Sequence, residues 1–199
     1  VSIEWIKKAG GKVLNLLCKG SKKHCEKQLR KSLTEHLSDI KKEVEKANSE
    51  HIEVNVYLED WSNGMIDSRE YVYDLIEGIN QVEVKRIMLP DTLGILNHVQ
   101  TATFCADMIN RFPETHFDFH AHNDYDLSVA NAFEAVKAGV KGIHSTLNGL
   151  GERAGNVPLS SVLGVLEDHL NIQTNLDGSK LFKVSKLVES FSGIRIPQN

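Results

Sequence analysis

His116-Phe117-Asp118-Phe119-His120-Ala121-His122-Asn123-Asp124 is the stretch whose reading decides the fold. Side chains alternate faces along an extended chain, so His120 and His122 project together, with Asp118 on the same side. The stretch lies between two segments of helical spacing. Residues 97–110 form one, stopped by Pro113, and residues 126–138 form the other, with Gly139 suited to a left-handed cap. A short apolar run between two helices is one βα unit, and the same pattern extends outward in both directions. Strands are predicted over 13–18, 52–58, 86–89, 117–122 and 142–147, each followed by a helix candidate, which is the pattern of a parallel sheet.

Strand onsets fall about 39, 34, 31 and 25 residues apart, the spacing of a (β/α)8 barrel of about 250 residues. Five units are present. An open five-stranded sheet is the rival; the polar residues at the C-terminal strand ends favour a partial TIM barrel, about strands four to eight with their helices. Before Val13 there is only a short helical remnant over 3–9, so three strands would lie outside this sequence. Beginning at Val1 rather than Met, the chain reads as a piece of something longer. Residues 1–170 are read as the partial catalytic barrel and 171–199 as a post-barrel linker and helix.

The helix after the first strand is expected to run unbroken over 22–47, where Leu29, Leu33, Leu37, Ile40 and Val44 recur at spacings of three and four. Asp67-Ser68-Arg69-Glu70 reads as a capping box opening the next helix, to about residue 79. A further helix is expected to begin near Pro158, and a last one covers 179–190.

Composition excludes several classes. The 199 residues are 41% hydrophobic and 25% charged, ordinary for a globular protein and too apolar for a disordered chain. A net charge of −4 gives no general attraction to nucleic acid or anionic lipid, so neither is an expected partner. Cys18, Cys25 and Cys105 form no CxxC pair and leave one thiol over, which points to a reducing compartment, the cytoplasm. No run approaches a membrane span, and the first residues lack a signal-peptide layout.

Two imidazoles on one strand face suit a divalent metal, which takes neutral nitrogens plus a carboxylate and keeps a position open for substrate. They could also line a polar cavity without metal, but barrel enzymes place active sites at this end of a strand. The next strand ends in Asn148-Gly149-Leu150-Gly151-Glu152-Arg153-Ala154-Gly155-Asn156, where glycines permit close backbone approach around an acid, a base and an amide. Tyr57-Leu58-Glu59-Asp60 and Leu89-Pro90-Asp91-Thr92-Leu93-Gly94 close two other strands. Four consecutive strands thus deliver polar groups to one rim, which turn chemistry alone does not explain.

Taken together, His120-Ala121-His122-Asn123-Asp124, the glycine-rich stretch 148–156 and Leu89-Pro90-Asp91-Thr92-Leu93-Gly94 resemble the 2-isopropylmalate synthase and homocitrate synthase family, the Claisen-condensing members of the metal-dependent (β/α)8 lyases. The resemblance spans nearly the whole chain. It implies a divalent metal (zinc, manganese or magnesium) held by His120 and His122 with Asn156 close to it, and by a strand-one Asp with no counterpart here. Likewise it implies acid/base chemistry at Glu152, a Glu59 that orients a strand-one Arg, and a Thr92 that contacts a keto-acid carboxylate. Where the family often carries Ser two residues before Glu59, this chain has Tyr57. The implied reaction is condensation of acetyl-CoA with a 2-keto acid: 3-methyl-2-oxobutanoate as in leucine biosynthesis, or 2-oxoglutarate or pyruvate in homocitrate and citramalate synthases. Carbon–carbon cleavage as in hydroxymethylglutaryl-CoA lyase is an alternative, and an inert fragment is another. A homodimer is expected of the full-length protein. His24, His36, His51, His98, His144 and His169 are read as surface or core residues.

Overall fold

The computed structural model describes residues 2–195. Its sheet has five strands, β1 (Val13–Lys19), β2 (Glu53–Glu59), β3 (Arg86–Asp91), β4 (Phe117–Ala121) and β5 (Gly142–His144), all parallel and ordered in space as in sequence. That order settles the architecture. A doubly wound sheet reverses its winding at a switch point and so carries non-sequential neighbours; among the described residues there is none. The chain winds in one sense, as the arc of a (β/α)8 barrel does.

Helix α1 (Ser2–Lys8) precedes β1, and α2 (Lys22–His24), α3 (Leu33–Ser49), α4 (Trp61–Asp67) and α5 (Arg69–Ile79) flank β2. After them come α6 (His98–Arg111), α7 (Ser128–Ala138), α8 (Leu159–Leu170) and α9 (Leu181–Ser192). Alternation gives each strand two unlike faces. On the outer face Val54, Val56, Leu58, Ile87, Leu89, Phe117 and Phe119 are fully buried in one core with helix residues such as Val44, Val72, Leu75, Ile76 and Met108. The inner, concave face is polar. Asn55 donates to Asn15 across 3.0 Å, Lys19 pairs with Glu59, and Arg86 reaches Asp118 at 3.2 Å.

Three local expectations need correction. The helix over 22–47 is broken: α2 runs into a π-helical turn, Cys25–Leu29, the backbone turns left-handed at Arg30 (φ 56°), and α3 starts afresh. The restart is set by a capping box, in which Ser32 Oγ accepts the Glu35 N–H while the Glu35 carboxylate accepts the Ser32 N–H. Asp67 opens no helix. It is the last residue of α4, whose Trp61 and Met65 are fully buried, and Ser68 joins α4 to α5 without a side-chain cap. The fifth strand is shorter than 142–147, because Asn148 (φ 60°) and Gly149 (φ 68°) curl Leu147–Gly149 into a 3-10 turn.

Candidate functional site

β4 delivers the central residues. His120 sits on the concave face, paired in register with His144 on β5, and its ring meets three others edge-on: His122 at 5.0 Å, His144 at 5.6 Å and Tyr57 at 5.7 Å between centroids. Burial, with the neighbouring His122 and His144, brings the His120 imidazole down to about 4, so the ring is neutral near pH 7. Below it Asp118 is buried. Burial raises its carboxyl, but hydrogen bonds from His144, Arg86 and His116 outweigh that and hold it at about 2. His144 is therefore neither a surface nor an outer-core residue; it bridges the Asp118 carboxylate and the His120 ring. Nothing within its own strand marks it; the register that sets it beside His120 does.

The glycine-rich turn brings Asn156 to the same point. His122 and Asn156 form an isolated antiparallel bridge, and the Asn123 N–H donates to Gly155 O at 2.9 Å. Asn156 donates its side-chain N–H to Leu150 O at 3.1 Å. Crowding explains two of the glycines. A Cβ at Gly151 would stand 2.0 Å from Asn156 Nδ2, and one at Gly155 (φ 90°) would stand 2.1 Å from Gly149 O.

Among the described residues no group of three or more His, Cys, Asp or Glu could hold a metal ion. The donors here are two imidazoles and a carboxamide, and two of their atoms are conspicuous: His122 Nδ1 and Asn156 Oδ1 are buried without a hydrogen-bond partner. Burying such atoms unpaired costs about 1–3 kcal/mol each. An amide oxygen offers a lone pair, and so does the unprotonated nitrogen of a neutral imidazole, so His120, His122 and Asn156 fit a cation's requirements.

The remaining predicted residues line the rim. Thr92 Oγ accepts the Asp60 N–H at 2.9 Å, and its hydroxyl shares a hydrogen bond with the Tyr57 phenol. Tyr57 is pushed up to about 12 by burial, then by the charges of Glu59 and Glu152, so its phenol is a hydrogen-bond donor. Glu152 is exposed, and its charge reaches both Tyr57 and His120. Glu59 has Lys19 as its partner in this chain, a pairing the sequence did not suggest. Two further groups went unpredicted. Arg153 holds Asp124 with two N–H groups, at 2.7 and 2.8 Å, and gives a third bond to Thr92 O at 2.9 Å. Behind the glycine-rich turn, Ser185 of α9 exchanges hydrogen bonds with Asn148.

The chain is 38% identical over 165 residues to a homocitrate synthase of Sulfolobus acidocaldarius, covering 83% of this chain and 34% of that protein. It is 32% identical over 176 residues to a protein of Ignicoccus hospitalis named Probable 2-isopropylmalate synthase, covering 88% of this chain and 43% of that one. The chain thus spans well under half the length of these relatives. In three dimensions it matches the HMG-CoA lyase of Bacillus subtilis with a TM-score of 0.84 at 24% identity, over 99% of this chain and 69% of the other, a likeness of fold. With residues 2–188 matching the HMGL-like family from the first helix into the last, the chain belongs to that family.

Proposed function

We propose that this chain carries the acceptor side of a condensing site, at which the methyl carbon of acetyl-CoA is joined to the carbonyl carbon of a 2-keto acid. The supporting observation is the pair of unpartnered buried atoms, His122 Nδ1 and Asn156 Oδ1, beside His120 at the C-terminal rim. His120, His122 and Asn156 would hold a divalent cation (zinc, manganese or magnesium). Bound there, the cation would supply Lewis acidity, spreading negative charge that grows on the acceptor oxygen as the carbon–carbon bond forms.

The chain's own groups do the rest. Thr92 and Tyr57, hydrogen-bonded to each other, present their hydroxyls as a pair to the keto-acid carboxylate, with Thr92 held in place by the Asp60 N–H. The Tyr57 phenol remains protonated beside the same position and offers a second donor. Glu152 stands at the open mouth as the acid/base candidate, able to hold the proton that leaves the acetyl methyl group. Glu59, gripped by Lys19, fixes the polar edge of β2 against Tyr57. Hydrolysis of the product thioester releases CoA and draws the condensation forward.

The concave face also bears on the acceptor. Lys19 already neutralises Glu59 and Arg86 already faces Asp118, so each cation on this face carries a carboxylate of the chain's own before a second carboxylate of 2-oxoglutarate arrives. A monocarboxylic 2-keto acid suits the face better, the 3-methyl-2-oxobutanoate of a 2-isopropylmalate synthase being the reference case. A second reading, a pyruvate-sized acceptor, is favoured by the Tyr57 ring, which stands at His120 where a serine would leave room, and by Leu17, 60% exposed on the same face. The test is acceptor-dependent thiol release from acetyl-CoA by Mn2+-loaded protein with pyruvate, 3-methyl-2-oxobutanoate or 2-oxoglutarate. Either monocarboxylic acid should support it, and Tyr57→Ser should shift preference toward the branched one. Turnover confined to 2-oxoglutarate would overturn the acceptor assignment. Cleavage of hydroxymethylglutaryl-CoA without any condensation would overturn the reaction.

A further inference from the structure

Three rim loops meet at Arg153, each with hydrogen bonds of its own: Asp91 accepts the Ile95 and Leu96 N–H groups in the first, Asn123 the Asp126 and Ser128 N–H groups in the second, and Gly149 the Asn156 N–H in the third. The first follows β3 and contains Asp91, Thr92 and Gly94. A second follows β4 and contains His122, Asn123 and Asp124, and the third is the glycine-rich turn itself. Arg153 belongs to the third loop, where its backbone is left-handed (φ 57°). From there it grips the Asp124 carboxylate of the second loop at both oxygens and the Thr92 carbonyl of the first. The fork geometry of a guanidinium matches a carboxylate bidentately while keeping a further N–H to spend elsewhere, which an ammonium cannot reproduce.

The fit around this contact is close. A Cβ at Gly94 (φ 60°) would lie 2.7 Å from Asp124 Oδ2, 2.8 Å from Asp124 N and 3.0 Å from His122 O, so the first two loops touch with no room for a side chain. Backbone bonds cross the same seam: His122 N–H to Asp91 O at 3.3 Å and Asn123 N–H to Gly155 O at 2.9 Å. Arg153 lies three residues before Asn156, Asp124 two after His122, and Thr92 is one of the three loops' own rim groups. An isolated exposed ion pair is worth little to stability. This one joins all three loops through a single side chain, beside backbone bonds that each join two.

We propose that Arg153 is a positioning residue: its contacts to Asp124 and Thr92 latch the three loops in register, and the latch keeps Asn156 and His122 facing one another. The second half rests on the cation reading given above; the first does not.

The latch is read by hydrogen exchange and the positioning by Mn2+ titration, both on the same protein. Arg153→Met should speed exchange of the Asn123 and Asn156 amides at least tenfold relative to wild type, with β2 and β3 amides unchanged. It should also weaken Mn2+ binding by about 10- to 100-fold, the usual effect of losing a group that orients a ligand. Arg153→Lys, which keeps the charge and loses the fork, should recover only part of each. Asp124→Asn, which keeps the shape against Gly94, reads the same seam should Arg153→Met fail to fold. Wild-type exchange at Asn123 and Asn156 in the folded variants would overturn the latch. Faster exchange with wild-type Mn2+ affinity would overturn the positioning role. If wild type and His122→Ala alike fail to bind Mn2+, the cation reading and the positioning role fall together, while the exchange data still decide the latch.

Discussion

Gly151→Ala and Gly155→Ala separate the site from the scaffold, although the two glycines lie four residues apart in one turn. At Gly151 the added Cβ would stand 2.0 Å from Asn156 Nδ2, 2.9 Å from Asn156 Cγ and 3.3 Å from the Asn156 backbone nitrogen. What must move is chiefly the end of a side chain, which can rotate. The cost is its hydrogen bond to Leu150 O, net about 1 kcal/mol, offset by about 0.4–1 kcal/mol from the stiffer unfolded chain. Folding stability should therefore change by under about 1 kcal/mol. Cation binding should not escape so lightly, because turning the carboxamide carries Oδ1 away from the histidines. Loss of that donor should weaken Mn2+ binding at least tenfold, about 1.4 kcal/mol. At Gly155 the added Cβ meets a backbone carbonyl, Gly149 O, at 2.1 Å, in a left-handed conformation with φ 90°. Neither can be relieved by rotating a side chain. Left-handed strain of about 1–2 kcal/mol and overpacking of about 1–3 kcal/mol should together lower stability by about 2–5 kcal/mol. Urea unfolding by circular dichroism gives the stabilities, and calorimetric titration with Mn2+ gives the affinities. Should Gly151→Ala bind Mn2+ like wild type, or lose as much stability as Gly155→Ala, the account of this turn is wrong.

Two predictions concern the scaffold. Ser32→Ala should cost about 1 kcal/mol in urea unfolding, the usual loss of an N-cap. Its Glu35 partner is held below the usual carboxylate range by the Ser32 N–H and then by the Ser32 hydroxyl. A depressed carboxyl stabilises above its unfolded value and loses that contribution as pH falls through the folded one, so the gap between variant and wild type should narrow on acidification below about pH 4. The cysteines give the other test. All three are buried, and burial pushes the Cys18 thiol up to about 12 and Cys105 up as well, so a disulfide reagent at pH 8 should label none of them until urea is added. Rapid labelling of the native protein would contradict this packing.

Helical periodicity and capping signals disagreed at two places, and the disagreement shows what each measures. Leu29 and Leu33 stand four apart, as along one helix, so the apolar spacing runs straight across the break at Arg30. Period counts which face a residue would occupy; it does not register whether the backbone between is continuous. Ser32-Leu33-Thr34-Glu35 carried the missing signal, because a serine that accepts the N–H three residues on must itself leave the helix. The same four-residue pattern misled at Asp67-Ser68-Arg69-Glu70. Asp67 could not leave a helix it was already ending, and what put it there was Trp61, a fully buried side chain six residues upstream. A cap motif is therefore overridden where the residue that would open the helix already belongs to one anchored by a buried side chain.

The site divides along a similar line. Alternation within one strand was enough to put Asp118, His120 and His122 on one face, since parity is a property of consecutive residues. His144 needed register, meaning which residue of β5 stands beside which residue of β4, and that is set by backbone bonds between segments some twenty residues apart. Once Asp118 lies beside Gly142 and His120 beside His144, the crowding follows. A Cβ at position 142 would lie 2.2 Å from Asp118 Oδ1, so glycine there gives the carboxylate room to accept from His144 on the next rung. The glycine and the histidine thus form one feature, with the His120 ring held against the result. Tyr57 belongs to the same class: its alternation placed it on the concave face, and only the pairing of β2 with β3 and β3 with β4 brings its ring to His120. Which face a side chain takes can be recognised one strand at a time, whereas which side chains meet across that face depends on how strands are placed against each other.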